Sequence, residues 1–123
     1  MSLASPWPEE LDALVAAPAH HRLLLENSRV RVLDTQIAPG QRTPVHTHQW
    51  PAVHHVVSWS AFVRRADDET VLVDTRTVSP SAAPPSVLWG EPLAPHSLEN
   101  VGTTLLHVIS VELKSPGDGP HNG

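Results

Sequence analysis

Two hydrophobic periods divide the chain. Near its start, Leu11, Leu14 and Val15 fall at i, i+3 and i+4, behind Pro8 and the acids Glu9, Glu10 and Asp12. Proline in a first turn, with carboxylates near the positive end of the helix dipole, marks a helix start. The spacing therefore predicts a short amphipathic helix over 8–17, closed by Pro18.

From residue 22 the period drops to two. Arg22–Glu26 reads as a short strand and Asn27-Ser28 as a turn. Arg29–Ile37 alternates polar with apolar positions, as a half-buried strand does. Pro39-Gly40 breaks it, Val45–His48 is a brief extended piece, and Pro51 punctuates again. Val53–Val63 is β-branched and apolar, and a hairpin through Asp67-Asp68 leads to a return strand at Val71–Val78. Ser79–Ser86 is a Pro/Ser loop, Val87–Trp89 a short strand, Gly90–Pro95 a turn and Thr103–Leu113 a last apolar strand. One short helix and then about eight to ten short strands predict an all-β sandwich or jelly roll. The expected division is an N-terminal arm and helix over 1–26, a barrel over 27–114 and a disordered Pro/Gly-rich tail over 115–123.

Composition narrows the chemistry. A length of 123 residues, 40% of them hydrophobic, suits one domain with a real core. Thirteen prolines disfavour long helices. The absence of cysteine excludes disulfides, zinc–thiolate sites, iron–sulfur clusters and thiol nucleophiles, so a bound metal must use nitrogen and oxygen ligands. At a formal charge of −5, with Lys114 the one lysine and seven scattered arginines, no basic stripe exists to track phosphates, which argues against nucleic acid. No apolar run approaches the length of about 20 residues that spans a bilayer, so no membrane partner is expected. The opening MSLASPWPEELD has neither the charged nor the apolar region of a signal peptide, and the expected location is cytoplasmic. With no tyrosine, one common proton-transfer group is missing.

Nine histidines are the chemical signal. His46 and His48 stand at i and i+2 of an extended segment, so their rings share a side and can share one cation at about 2.0–2.1 Å per nitrogen. A further ligand must come from elsewhere, and His96, just after a strand and turn, is the candidate. A lone H-x-H pair is common in a histidine-rich chain; its surroundings add the weight. Gly40-Gln41-Arg42-Thr43-Pro44-Val45-His46-Thr47-His48 resembles the first cupin motif, a glycine, five residues and H-x-H. Pro95-His96-Ser97-Leu98-Glu99-Asn100 resembles the end of the second, H-x-x-x-N, and the intervening hairpin fits the family layout. The likeness runs over roughly 26–113 and looks like that of small single-domain bacterial cupins. It implies an RmlC-like double-stranded β-helix, or jelly-roll barrel, usually dimeric and with a metal inside.

Two departures bear on the site. The glutamate that the first cupin motif usually supplies as a ligand would fall at Ala52 or Val53, and neither can bind a metal. The motif's closing glycine is replaced by Trp59 or Ser60, and the P-x-G before the second-motif histidine is not kept in Glu91–Pro95. The site is then either His46, His48 and His96, or that set completed by His54 or His55. Strand alternation lets only one of those two face inward: His54 if position 52 does, His55 if position 53 does. Other residues have plainer readings. Trp50 suits a pocket wall, a core or a dimer interface; Trp59 and Trp89 suit packing; Asn100 suits a turn. Arg42 and Gln49 flank the site, His107 reads as a satisfied core or interface histidine, and His121 lies in the tail. His20-His21 lies where cationic histidine suits a helix C-terminus.

A histidine-ligated site suits divalent Fe, Mn, Ni, Zn or Cu. The resemblance implies a small-molecule metalloenzyme of the dioxygenase, isomerase or lyase type. The alternatives are a non-catalytic small-ligand or sensor barrel, and a relic that binds no metal. A homodimer is expected, because exposed barrel edges are a liability.

Overall fold

The computed structural model describes residues 6–77 and 85–114. Most of the Pro/Ser loop, the last residue of the expected return strand, the tail and His121 lie outside them. Nine strands are described: β1 (His21–Glu26), β2 (Val30–Ile37), β3 (His46–His48), β4 (Ala52–Ser58), β5 (Phe62–Ala66), β6 (Val71–Asp74), β7 (Val87–Gly90), β8 (Leu93–Asn100) and β9 (Leu106–Leu113). They form two antiparallel sheets, β1-β2-β9-β4-β7 and β3-β8-β5-β6. The all-β jelly roll expected from the strand pattern is the fold observed.

Alternation sets which side chains enter the barrel. In the large sheet, register aligns Leu33 of β2, Ser110 of β9, His54 of β4 and Leu88 of β7 in one inward row. The next inward row is Arg31, Glu112, Ala52 and Gly90. In the small sheet, His46 of β3, His96 of β8 and Ala66 of β5 share a row, with Leu98 and Arg64 forming the next one on that face.

Several expected elements are corrected. The return strand expected over Val71–Val78 ends at Asp74, where a 3-10 turn, Thr75–Thr77, begins, and the last strand starts at Leu106 rather than Thr103. The helix over 8–17 is a 3-10 turn, Glu9–Leu11, and a single α-helical turn, α1 (Ala13–Ala16), separated at Asp12. Asp12 keeps an extended backbone, at φ −54° and ψ 142°, while its carboxylate accepts from the Leu14 N–H at 3.1 Å and from both Arg31 Nη atoms at 2.9 Å. Capping and ion pairing thus interrupt a helix that periodicity alone would continue. The strand expected over Val53–Val63 is two strands, β4 and β5, lying in different sheets. The corner between them is held by Ser60, whose hydroxyl donates to Asn100 Oδ1 at 2.7 Å; a Cβ at Gly102 would collide with that hydroxyl. The turn expected over Gly90–Pro95 shrinks to Glu91-Pro92, and β8 runs through Pro95. Proline is tolerated there because the β3–β8 register shifts between His46 and His48, where the ladder is already irregular.

Asn100, read as a turn residue, is fully buried in the connections. Its amide donates to the carbonyls of Ile37 (2.7 Å) and Thr104 (2.8 Å), and its oxygen accepts from Ser60 and from the Gly102 N–H (2.9 Å).

Candidate metal centre

Four histidines from β1, β3 and β8 converge at one end of the barrel. The ring centroids of His46 lie 4.7 Å from His21, 5.0 Å from His48 and 4.4 Å from His96. His48 lies 5.4 Å from His21 and 5.6 Å from His96. In His21, His46 and His48, one ring nitrogen from each lies within 4.8 Å of the other two, so this triad could hold a metal ion.

Each ring is oriented through Nδ1. His21 Nδ1 faces the Ala17 carbonyl at 3.0 Å, His46 the Pro44 carbonyl at 2.8 Å and His96 the Ala94 carbonyl at 2.7 Å. His48 Nδ1 faces Glu112 Oε2 at 3.0 Å. All four partners are acceptors, so Nδ1 carries the proton in each ring and Nε2 keeps its lone pair. This is the tautomer a metal requires, fixed by groups behind the ring. Burial, followed by the neighbouring imidazoles, lowers His21 to about 3 and His96 to about 2. Burial also lowers His46, and drives His48 well below its ordinary value. The cluster is therefore neutral at physiological pH, which lets four imidazoles approach without charge repulsion.

Behind His48 runs a chain of buried charges. Glu112, 1% exposed, accepts on Oε1 from Arg31 Nε at 2.6 Å, and Arg31 forks onto Asp12. Burial raises the Glu112 carboxyl above its usual range, against the opposing pull of Arg31. For Asp12 burial also raises, but the hydrogen bonds and charge of Arg31 outweigh it, and the carboxyl sits below its usual range. Two carboxylates and one guanidinium thus satisfy one another and aim His48.

Beyond the cluster a cavity opens, enclosing with its mouth about 740 Å³. Val56, Leu88, Leu93, Leu98, Leu106 and Val108 make its apolar wall, and Arg64 and His54 its further polar groups. His54 faces inward and His55 is exposed, the alternation expected with Ala52 inside. His54 Nδ1 meets Ser110 Oγ at 2.7 Å, and its ring lies over Gly90, where a Cβ would collide with Nε2. It makes no ring contact with the four-imidazole cluster. The rings of His46, His48 and His96 pack together, but the triad whose ring nitrogens lie close enough to share an ion is His21, His46 and His48, and His54 shares their cavity only.

The pattern missed His21 and Glu112. His21 does meet the end of α1, through Nδ1 on the Ala17 carbonyl, but as a neutral imidazole rather than the cationic one expected there, and its ring packs against His46 and His48. The available signal was that His21 opens the strand Arg22–Glu26 as well as closing the helix. For Glu112 the signal was a lone carboxylate at an inward position of an apolar strand. Trp50 carries Arg31 and Lys114 over its ring, at 5.0 and 5.3 Å, outside the cavity. Trp59 lines the cavity beside Phe62. His107 pairs with Asp34 at 2.9 Å, and Arg42 bonds Ser97 and Glu69.

No helix among the described residues is long and apolar enough to cross a membrane. No protein-family model and no curated protein matches the sequence. Solved structures do match. A cupin domain from Bordetella pertussis superposes with a TM-score of 0.58 at 16% identity, over 77% of this chain and 92% of that one. An RmlC-like cupin with a double-stranded β-helix fold from Methanocaldococcus jannaschii gives 0.56 at 10% identity, over 79% and 81%. A conserved protein with a double-stranded β-helix domain from Klebsiella pneumoniae gives 0.53 at 19%, over 80% and 78%. At these identities the likeness is one of fold: with its two antiparallel sheets, this chain has the double-stranded β-helix fold of these cupins.

Proposed function

We propose that the cavity binds one divalent transition metal and works on a small molecule admitted through its mouth, as a metalloenzyme of the dioxygenase, isomerase or lyase type. The observation that carries this reading is the shared anchoring of four clustered imidazoles, three buried and His48 partly so, each with Nδ1 against an acceptor, which leaves Nε2 for a metal. Nitrogen donors of this kind fit Fe, Mn, Ni, Zn or Cu. His21, His46 and His48 would hold the ion, with His96 beside them as a further ligand. Such an ion supplies Lewis-acid or redox chemistry at the polar end of the cavity. The apolar wall excludes water, and His54, held by Ser110, is placed to meet a bound molecule or to carry a proton.

Elemental analysis of purified, tag-free protein tests this. About one equivalent of metal is expected in the parent, with most of it lost in His21→Ala and His46→Ala and retained in His54→Ala. A parent that takes up no metal after exposure to all five ions overturns the proposal. One feature supports a second reading, a non-catalytic small-ligand barrel: among the described residues no carboxylate lines the cavity, and the two nearby acids, Asp12 and Glu112, are engaged by Arg31 and His48. Metal-loaded protein that binds small molecules without turning them over is the result that would favour it.

The homodimer belongs to the same proposal. On the outer face of the large sheet, register aligns Val32, Val111, Val53 and Trp89 across four strands. Trp89 and Val87 are 56% and 57% exposed, an apolar band that a second copy would cover. Sedimentation should show a dimer at micromolar concentration and a monomer for Trp89→Glu; a monomeric parent would refute the assignment.

A further inference from the structure

Among the described residues Arg64 is the one arginine side chain lining the barrel cavity, and no acid lines it. Its Nε is fully buried and has no hydrogen-bond partner. Among the described residues Arg31, Arg42, Arg65 and Arg76 each meet a carboxylate within 2.5–2.9 Å, whereas Arg64 meets none: its guanidinium lies 5.9 Å from the Phe62 ring, and its charge acts on His46, His54 and His96. Burial lowers its pKa, with no opposing acid. A buried N–H without a partner is costly, and folded proteins rarely leave one unsatisfied.

Its position gives the use. Arg64 pairs with Leu98 in the β5–β8 ladder, and Ala66, on the same face, pairs with His96. The guanidinium therefore stands on the cavity side, one row from the imidazole cluster. The apolar wall lies around it, and the hydroxyl-anchored ring of His54 lines the same space. Charge, one orphaned donor and apolar surface share one cavity.

We propose that the cavity recognises a small organic monocarboxylate, whose carboxylate is held by Arg64 and whose apolar body lies against the aliphatic wall. A planar carboxylate matches the fork of a guanidinium and would satisfy the buried Nε. The aliphatic wall favours an acid with a hydrocarbon or aromatic body over inorganic phosphate or a polyanion. The inference names the substrate class of the cavity read above as a metal centre and rests on that reading for its biological setting. Anion capture by Arg64 needs no metal, so the two can fail separately.

The probes are hexanoate, benzoate and phenylacetate, each paired with its neutral primary amide. Binding is measured by titration calorimetry and by the side-chain ¹⁵N–¹H signal of Arg64 Nε, on metal-stripped and on zinc-loaded protein. At least one acid is expected to bind the stripped protein about tenfold or more tightly than its amide, as a charge-assisted pair implies. That acid should shift the Arg64 signal. Arg64→Met, which removes a buried charge with no partner, should fold, keep its metal content and lose the preference for acid over amide. The proposal is overturned if no acid outcompetes its amide, or if Arg64→Met keeps the preference. Acid binding without metal uptake would remove the metal centre and leave this inference standing; metal uptake without acid preference would do the reverse.

Discussion

Asn100→Ala should lower the stability of the fold by about 3–4 kcal/mol, a fall in thermal midpoint of roughly 15 °C for a domain of this size. The reason is the number of groups that depend on one buried amide. Asn100 joins the end of β2, the corner between β4 and β5, and the turn into β9, through the carbonyls of Ile37 and Thr104, the Ser60 hydroxyl and the Gly102 N–H. Alanine leaves all four without that partner and adds a small void. Asn100→Asp separates the two halves of the role. A carboxylate still accepts from Ser60 and Gly102 but cannot donate to two carbonyls, so it should be destabilised as well. Equilibrium denaturation decides the matter: both variants within 1 kcal/mol of the parent would mean that the amide does not hold these connections together.

Asn100 also shows what a linear pattern omits. Its spacing from His96 was visible, and a turn role followed naturally, yet its four partners come from three separate connections. Period-two alternation located most strands, because it records which face is buried. It failed at Trp59–Ala61, where an apolar run passes from one sheet to the other, since apolarity continues while the backbone turns. It failed at Asp12 for a different reason: Arg31, nineteen positions on, competes with the helix for that residue's carboxylate. The histidine cluster was legible where its members sit close in sequence, as in His46 and His48, or at a motif-like position, as in His96. His21 was hidden because its helix-end role is real and accounts for only one of its two nitrogens. Arg64 was unreadable in sequence, since an arginine on a half-polar strand looks like any solvated arginine until its partners are counted in space.

Glu112→Gln should be the most informative change around the cluster, because the amide is nearly isosteric and still cannot do what the carboxylate does. Glu112 accepts on both oxygens, from Arg31 Nε at 2.6 Å and from His48 Nδ1 at 3.0 Å. A glutamine has one accepting oxygen. If that oxygen stays on Arg31, the amide N–H₂ faces the His48 Nδ1–H, donor against donor. His48 relieves the conflict by moving its proton to Nε2, which removes the lone pair aimed at the cluster. If the oxygen turns to His48 instead, the amide faces Arg31 Nε, and a buried guanidinium loses a hydrogen bond, its remaining carboxylate being Asp12. Either way a buried charge pair is broken, at about 3–5 kcal/mol of stability. In the first orientation metal affinity also falls by about 10–100-fold, the usual cost of losing the group behind a ligating histidine. Denaturation, competitive metal titration and the ¹⁵N shifts of the imidazoles read these effects separately. The expected pattern is a proton moved to Nε2 on His48, with His21, His46 and His96 keeping theirs on Nδ1. A variant that is less stable but binds metal as tightly as the parent, with His48 unchanged, would assign Glu112 to the fold through Arg31 and take it out of the metal centre.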